Sequence, residues 1–318
     1  MTASSSRVAM RIGVFLLMSL SITLVAPACV LLAGPLLLGV PHLLSELRVF
    51  ASRLKVTRAA VLTTLAPLAA LVGLRIAECF GYARPDGSDV VFGCAAILAA
   101  SACRPGPWLN RVSQCLIVIG MSVLALQNAA LTTLLLAHAH NLCALVFFVL
   151  WARPRLSPRD VSLLVLIVST AGGLIWFGAP GAANSPFLSN VRLALAPGMQ
   201  AELSQRVVLA YAFAQLMHYA FWLDLLPRAP SLRTPDKDVR RTKVLFGVGV
   251  AVLIVPLYAY LTDPVEAREH YLAFAGFHGW LEFAVLAYCG FGLSARATMP
   301  TTARLTVAAA TRATSNAH

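Results

Sequence analysis

Apolar runs of bilayer-crossing length recur along this chain almost from end to end, and nothing else in the sequence limits its fold as strongly. A hydrocarbon core about 30 Å thick is crossed by about 20 apolar residues in a helix. Inside lipid every backbone N–H and C=O must be paired within the spanning structure, so runs of this length mean helices. Charge is too scarce for the alternative of a water-soluble globule. Only 12% of the 318 residues are charged and 59% are hydrophobic, against about 25% charged in soluble domains. A cytosolic enzyme, a secreted disulfide scaffold and a disordered chain are thereby excluded. The expected fold is all-α: a polytopic integral membrane bundle of about ten transmembrane helices.

Ten spans fit, near 12–32, 34–50, 59–77, 90–103, 112–127, 130–151, 161–178, 206–226, 244–261 and 271–293. The run from Ile12 follows Arg7 and Arg11 but continues past the length of a signal peptide, so it reads as the first span. The whole chain, 1–318, reads as a single integral membrane domain, with 297–318 a flexible cytoplasmic tail. The formal charge of +12 comes from 25 Lys and Arg against 13 Asp and Glu. Basic residues concentrate in alternate loops: Arg48 to Arg58, Arg104 and Arg111, Arg153 to Arg159, and Arg228 to Lys243. By the positive-inside rule those loops are cytoplasmic and both termini face the cytoplasm. The longest opposite loop, 179–205, holds a stretch from Phe187 that could lie as an amphipathic piece at the interface. The basic loops lack interleaved aromatics, so no nucleic-acid partner is expected. The seven cysteines form no CxxC pair and sit in or beside apolar runs, so they read as small hydrophobes.

Histidine is the anomaly. His42, His138, His140, His218 and His278 all lie inside apolar runs, where ionisable groups are costly and mark function by default. Counted from the outer end of their spans, they lie about 7–12 residues in, or about 10–18 Å deep. Four helices therefore present an imidazole at one level. Glu46 follows His42 by four residues and Glu282 follows His278 by four, which puts each carboxyl on its histidine's helix face. Gln215, Asn141 and Trp222 stand at similar spacing from His218 and His138. Imidazoles with carboxyl neighbours suit iron, zinc or copper. The expected metal ligands are His42, His138, His218 and His278. His140, two residues from His138, should face away from it, so one of the two coordinates. Glu46 and Glu282 are the expected catalytic groups, orienting imidazoles or accepting a proton. Glu46 could instead pair with Arg48, and His270 reads as a solvated helix-end residue. Trp222, Trp280 and Phe277 are candidate walls of a substrate pocket.

The segment from Gly39 to Glu46 carries Gly39, Pro41, His42 and, four positions on, the acidic Glu46. It resembles a motif of the bacterial beta-carotene 15,15'-dioxygenase family, retinal-forming membrane proteins with Gly-x-Pro-His followed by an acid. Leu47 stands where that family has a second histidine. Phe277-His278-Gly279-Trp280-Leu281-Glu282 stands where it has two close histidines and an arginine. The resemblance implies histidine-bound iron and residence in the bacterial inner membrane. Together with the histidine pattern it leads to one expectation: a non-haem iron oxygenase acting on a lipophilic isoprenoid, carotenoid or acyl-lipid substrate that enters from membrane lipid. A haem-binding electron-transfer protein, and a transporter coupling protons or cations through His and Glu, are the alternatives.

Overall fold

The computed structural model describes residues 3–53, 56–152, 158–178, 186–226 and 263–289, and among them the regular structure is helical, with no strand. The helices are α1 (Ala3–Val25), α2 (Pro27–Arg53), α3 (Arg58–Cys79), α4 (Ser88–Ala102), α5 (Trp108–Gln127) and α6 (Ala129–Ala152). They continue with α7 (Pro158–Gly178), α8 (Pro186–Leu195), α9 (Ala201–Ala220), α10 (Pro264–Ala275) and α11 (Phe277–Cys289). A π-helical turn, Phe221–Leu225, extends α9. Five stretches are long and apolar enough to cross a membrane: Pro27–Phe50, Arg58–Cys79, Trp108–Gln127, Ala129–Leu150 and Pro264–Cys289. Shorter apolar helices cover Met10–Val25, Ser88–Ala102 and Val168–Phe177. The expected span 244–261 and the tail 297–318 lie outside the described residues.

Two boundaries differ from the sequence reading, and a third feature that it left open is made definite. The first is between the first two helices, expected near residue 33 at Gly34-Pro35. It falls instead at Ala26, and Pro27 opens α2. Proline is pre-organised for the first helical position, where its missing N–H bonds nothing. Pro35 and Pro41 both lie inside α2. Proline in a helix interior strands the carbonyl four residues back. For Pro35 that carbonyl is Leu31 O, and it accepts a 2.8 Å hydrogen bond from Nε of Arg268 in α10. The broken turn thus becomes a tie between helices. Second, the expected span 271–293 begins earlier and divides at Gly276 into α10 and α11. Asp263 caps α10, its Oδ1 accepting from the N–H groups of Val265 and Glu266 at 2.9 and 3.0 Å. Third, α8 forms inside the expected outer loop. Its apolar face (Leu188, Val191, Leu195) is buried against Val30, Leu31, Val208 and Ala212 of α2 and α9.

Two helices organise the packing. α4 lies against α3, α5 and α11, and α9 against α1, α2, α6, α7 and α8. Small residues allow this closeness. At Gly93 of α4 a Cβ would stand about 2.0 Å from the indole ring of Trp280, so only glycine lets α11 approach there. The core continues through Trp222, which is completely buried and meets Phe50 and Phe147 at ring-centre distances of 5.3 and 5.7 Å. By contrast α5 turns Leu116, Ile117, Met121 and Leu124 outward.

Candidate metal centre

Four helices each bring one histidine to a common point. His42 lies midway along α2, His140 on α6, His218 near the end of α9 and His278 at the start of α11. Ring centres are 5.1 Å apart for His42–His218 and 5.1 Å for His42–His278. They are 5.4 Å apart for His140–His218 and 5.1 Å for His140–His278. The four imidazoles thus close a ring, and His218 and His278 also face each other across it at 6.1 Å. Within it, His42, His218 and His278 each offer a nitrogen so placed that the three lie within 4.8 Å of one another. Gly279 makes room for the fourth member: a Cβ there would stand 3.2 Å from Cβ of His140.

Hydrogen bonding sets the tautomers of two of them. Nδ1 of His140 lies 3.3 Å from Leu136 O, and Nδ1 of His278 lies 2.5 Å from Ala275 O. A carbonyl oxygen can only accept, so each Nδ1 carries the hydrogen and each Nε2 keeps its lone pair. Neither nitrogen of His42 or His218 has a hydrogen-bond partner, although both residues are buried. A buried polar atom left without a partner costs about 1–3 kcal/mol. Imidazoles sharing one tetrahedral ion at about 2.1 Å through nitrogen have ring centres about 5 Å apart, which is the spacing found. The residues therefore fit a first-row divalent metal.

The two carboxyls sit one helical turn from this group. Glu46 and Glu282 are fully buried and close enough to interact with each other. Glu46 turns away from the exposed Arg48, and both its oxygens lack a hydrogen-bond partner. Oε1 of Glu282 accepts from Nε1 of Trp222 at 2.8 Å and lies 3.8 Å from Nε2 of His218. Its other oxygen meets no nitrogen or oxygen in hydrogen-bonding geometry, and the Cys143 thiol stands beside the carboxyl. The π-helical turn that carries Trp222 is tied to α2 by the Ser45 hydroxyl, which donates to the Trp222 carbonyl. Such turns widen a helix locally and often occur at functional sites.

The expected ligand His138 does not join the group, and His140 stands in its place. Residues two apart on a helix point about 200° apart, so the two cannot share a cavity. His138 faces α8 and α9: its Nε2 is 3.2 Å from Leu195 O and its ring 5.3 Å from that of Tyr211. His140 belongs with Cys143, Ala144 and Phe147, the buried face of α6. That register is a helical i, i+3, i+4, i+7 pattern. α6 is apolar on every side, however, so the pattern does not stand out in the sequence. Tyr219, whose ring centre lies 4.8 Å from that of His42, and Tyr271 were also missed, because a tyrosine in an apolar run is ordinary. His270 is exposed, as a helix-end residue should be.

A cavity of about 660 Å³ opens from the histidines. His140, His218 and His278 line it, and so do Arg75, Arg268 and Asn190. Trp280 is part of its wall, whereas Trp222 is packed into the core beside it. No family model matches the chain, and neither a curated protein nor a solved structure matches it.

Proposed function

We propose that this chain is an integral membrane metalloenzyme, an iron-dependent oxygenase acting on a lipophilic substrate. The observation that carries the reading is the convergence of the His42, His218 and His278 nitrogens within 4.8 Å, with His218 and His278 lining a cavity of about 660 Å³. His42, His218 and His278 would hold the metal, with His140 as the fourth imidazole. Neutral imidazoles without thiolate suit iron, and equally admit zinc or copper. Iron held in this way supplies activation of dioxygen when bound. The protein's own contribution lies around it. Trp222 holds Glu282 against His218, and that carboxyl orients the imidazole and makes it a better ligand. The open oxygens of Glu46 and Glu282 are the places where a proton can be held. The apolar helices exclude water from the chamber. The resemblance of the Gly39 to Glu46 segment to the retinal-forming dioxygenases points the same way.

The alternation of basic loops supports about ten transmembrane helices in the bacterial inner membrane, with both termini cytoplasmic. Cysteines introduced at Asn190 and Asp236 should then label from opposite sides; labelling from one side overturns this topology. A haem is less well supported, because imidazoles in mutual ring contact leave no slot for a macrocycle between them. Elemental analysis and an absorption spectrum of the purified protein decide the matter. Iron without a Soret band supports the oxygenase, a Soret band supports the haem protein, and absence of any bound metal overturns both.

A further inference from the structure

The cavity wall is not purely apolar. Asn141, Gln215 and Tyr271 all line it, all are at least nine-tenths buried, and each leaves a polar atom unbonded. Asn141 follows His140 directly on α6, Gln215 precedes His218 by three residues on α9, and Tyr271 comes from α10. Asn141 can be oriented without ambiguity. Its Nδ2 donates to Ala137 O at 3.2 Å, a partner that can only accept, so the atom left open is the acceptor Oδ1. Gln215 donates through Nε2 to the Tyr219 hydroxyl at 3.0 Å and leaves Oε1 open. If its amide were turned over, the open atom would be the amide nitrogen instead. The Tyr271 hydroxyl also has no partner, and it is seated where only glycine fits: a Cβ on Gly39 would stand 2.0 Å from it.

A hydrocarbon would leave all three groups unpaired. An anion is no better served, because the two arginines that line the cavity are already engaged. Arg75 is paired with Asp89, its Nε donating to Oδ1 at 3.0 Å. Arg268 donates to Leu31 O at 2.8 Å and to Glu269 at 2.6 Å. A hydroxyl donates once and accepts twice, so it can give its hydrogen to Asn141 Oδ1 while accepting from the Tyr271 hydroxyl and, with the Gln215 amide turned over so that its oxygen accepts from the Tyr219 hydroxyl, from the Gln215 amide nitrogen.

We infer that the cavity takes a neutral lipophilic alcohol, with its hydroxyl held among Asn141, Gln215 and Tyr271, so that the hydroxyl-bearing end of the molecule is the end presented to the histidines. Gln215 is less than one turn from His218, about 4.5 Å along the helix axis, and Asn141 adjoins His140, so that end is the one nearest the imidazoles. This rests on the reading of the cavity as the substrate chamber, and it narrows that reading from lipophiles in general to alcohols.

The test is competition binding on the full-length protein in phosphatidylcholine nanodiscs, whose lipid offers no hydroxyl. A diazirine-bearing long-chain alcohol is photo-crosslinked to the chain. Hexadecan-1-ol, hexadecane and hexadecanoate then compete for the labelled site, with metal content measured in parallel. Hexadecan-1-ol should compete at about tenfold lower mole fraction than hexadecane, the range expected from one or two net hydrogen bonds. Asn141→Leu and Gln215→Met should remove most of that preference while metal content stays unchanged. Tyr271→Phe should remove a smaller part. Equal competition by alcohol and hydrocarbon, or better competition by hexadecanoate, overturns the assignment while leaving a lipophilic chamber. Failure of every probe to label the cavity overturns both the assignment and the chamber. Loss of metal in Asn141→Leu or Gln215→Met would show that these residues support the histidines instead, and would also overturn it.

Discussion

Two polar clusters lie among these apolar helices, and their charges are treated in opposite ways. In one, Arg75, Arg84, Asp89 and Glu78 compensate one another. Arg84 reaches Asp89 at 2.8 Å and Glu78 at 2.9 Å, and Arg75 also pairs with Asp89. In the other, Glu46 and Glu282 are more deeply buried, and no Lys or Arg pairs with them among the described residues; the basic group that Glu282 faces is the imidazole of His218, at 3.8 Å. Both nitrogens of His42 and His218 also lack partners. The first cluster balances its charges, two guanidinium groups against two carboxylates, and joins α3 to α4. The second is left open at the atoms that would hold a cation, as a site retained for function would be.

The sharpest way to break this contrast is to remove one member from each cluster. His42→Ala or His278→Ala should lower metal occupancy about 100-fold or more, with insertion of the protein unchanged, because one of few ligands is gone and the helix becomes more apolar. Metal analysis on equal amounts of inserted protein reads the effect; full occupancy would make these histidines structural. Asp89→Asn should leave metal content unchanged and instead lower thermal stability. It strips the shared counter-charge from two partly buried guanidinium groups, at a cost of about 1–3 kcal/mol. A loss of metal in this variant would end the separation between the clusters.

A second pair of variants sharpens the inner site. Glu282→Gln and Trp222→Phe should each weaken metal affinity about 10–100-fold, since one removes the charge beside His218 and the other its anchor. Competitive chelator titration measures this. If Glu282→Gln is as damaging as His278→Ala, the carboxyl is a direct ligand. The last comparison is between neighbours on α6: His140→Ala should reduce affinity about tenfold, while His138→Ala should leave it within about twofold. The reverse order would return His138 to the site.

Much of this was legible in the residues themselves. Long apolar runs can satisfy their backbone only as helices, so the helical class followed from composition and length alone. His42, His218 and His278 stood out because an imidazole in an apolar run is expensive wherever the helix points. The i+4 spacing placed Glu46 and Glu282 on the same faces before any packing was known. Orientation about the helix axis was legible only where polarity varied around it. α6 is apolar all round, and the choice of His140 over His138 came from its contacts with α9 and α11. Helix ends inside continuous apolar sequence were equally hidden: Pro35 looked like a break, yet Arg268, more than two hundred residues later, takes up the carbonyl it frees. The cavity and its three unpaired polar groups exist only once α6, α9 and α10 are assembled, because a hydrogen bond left unmade is a property of the packed neighbours and not of the residue.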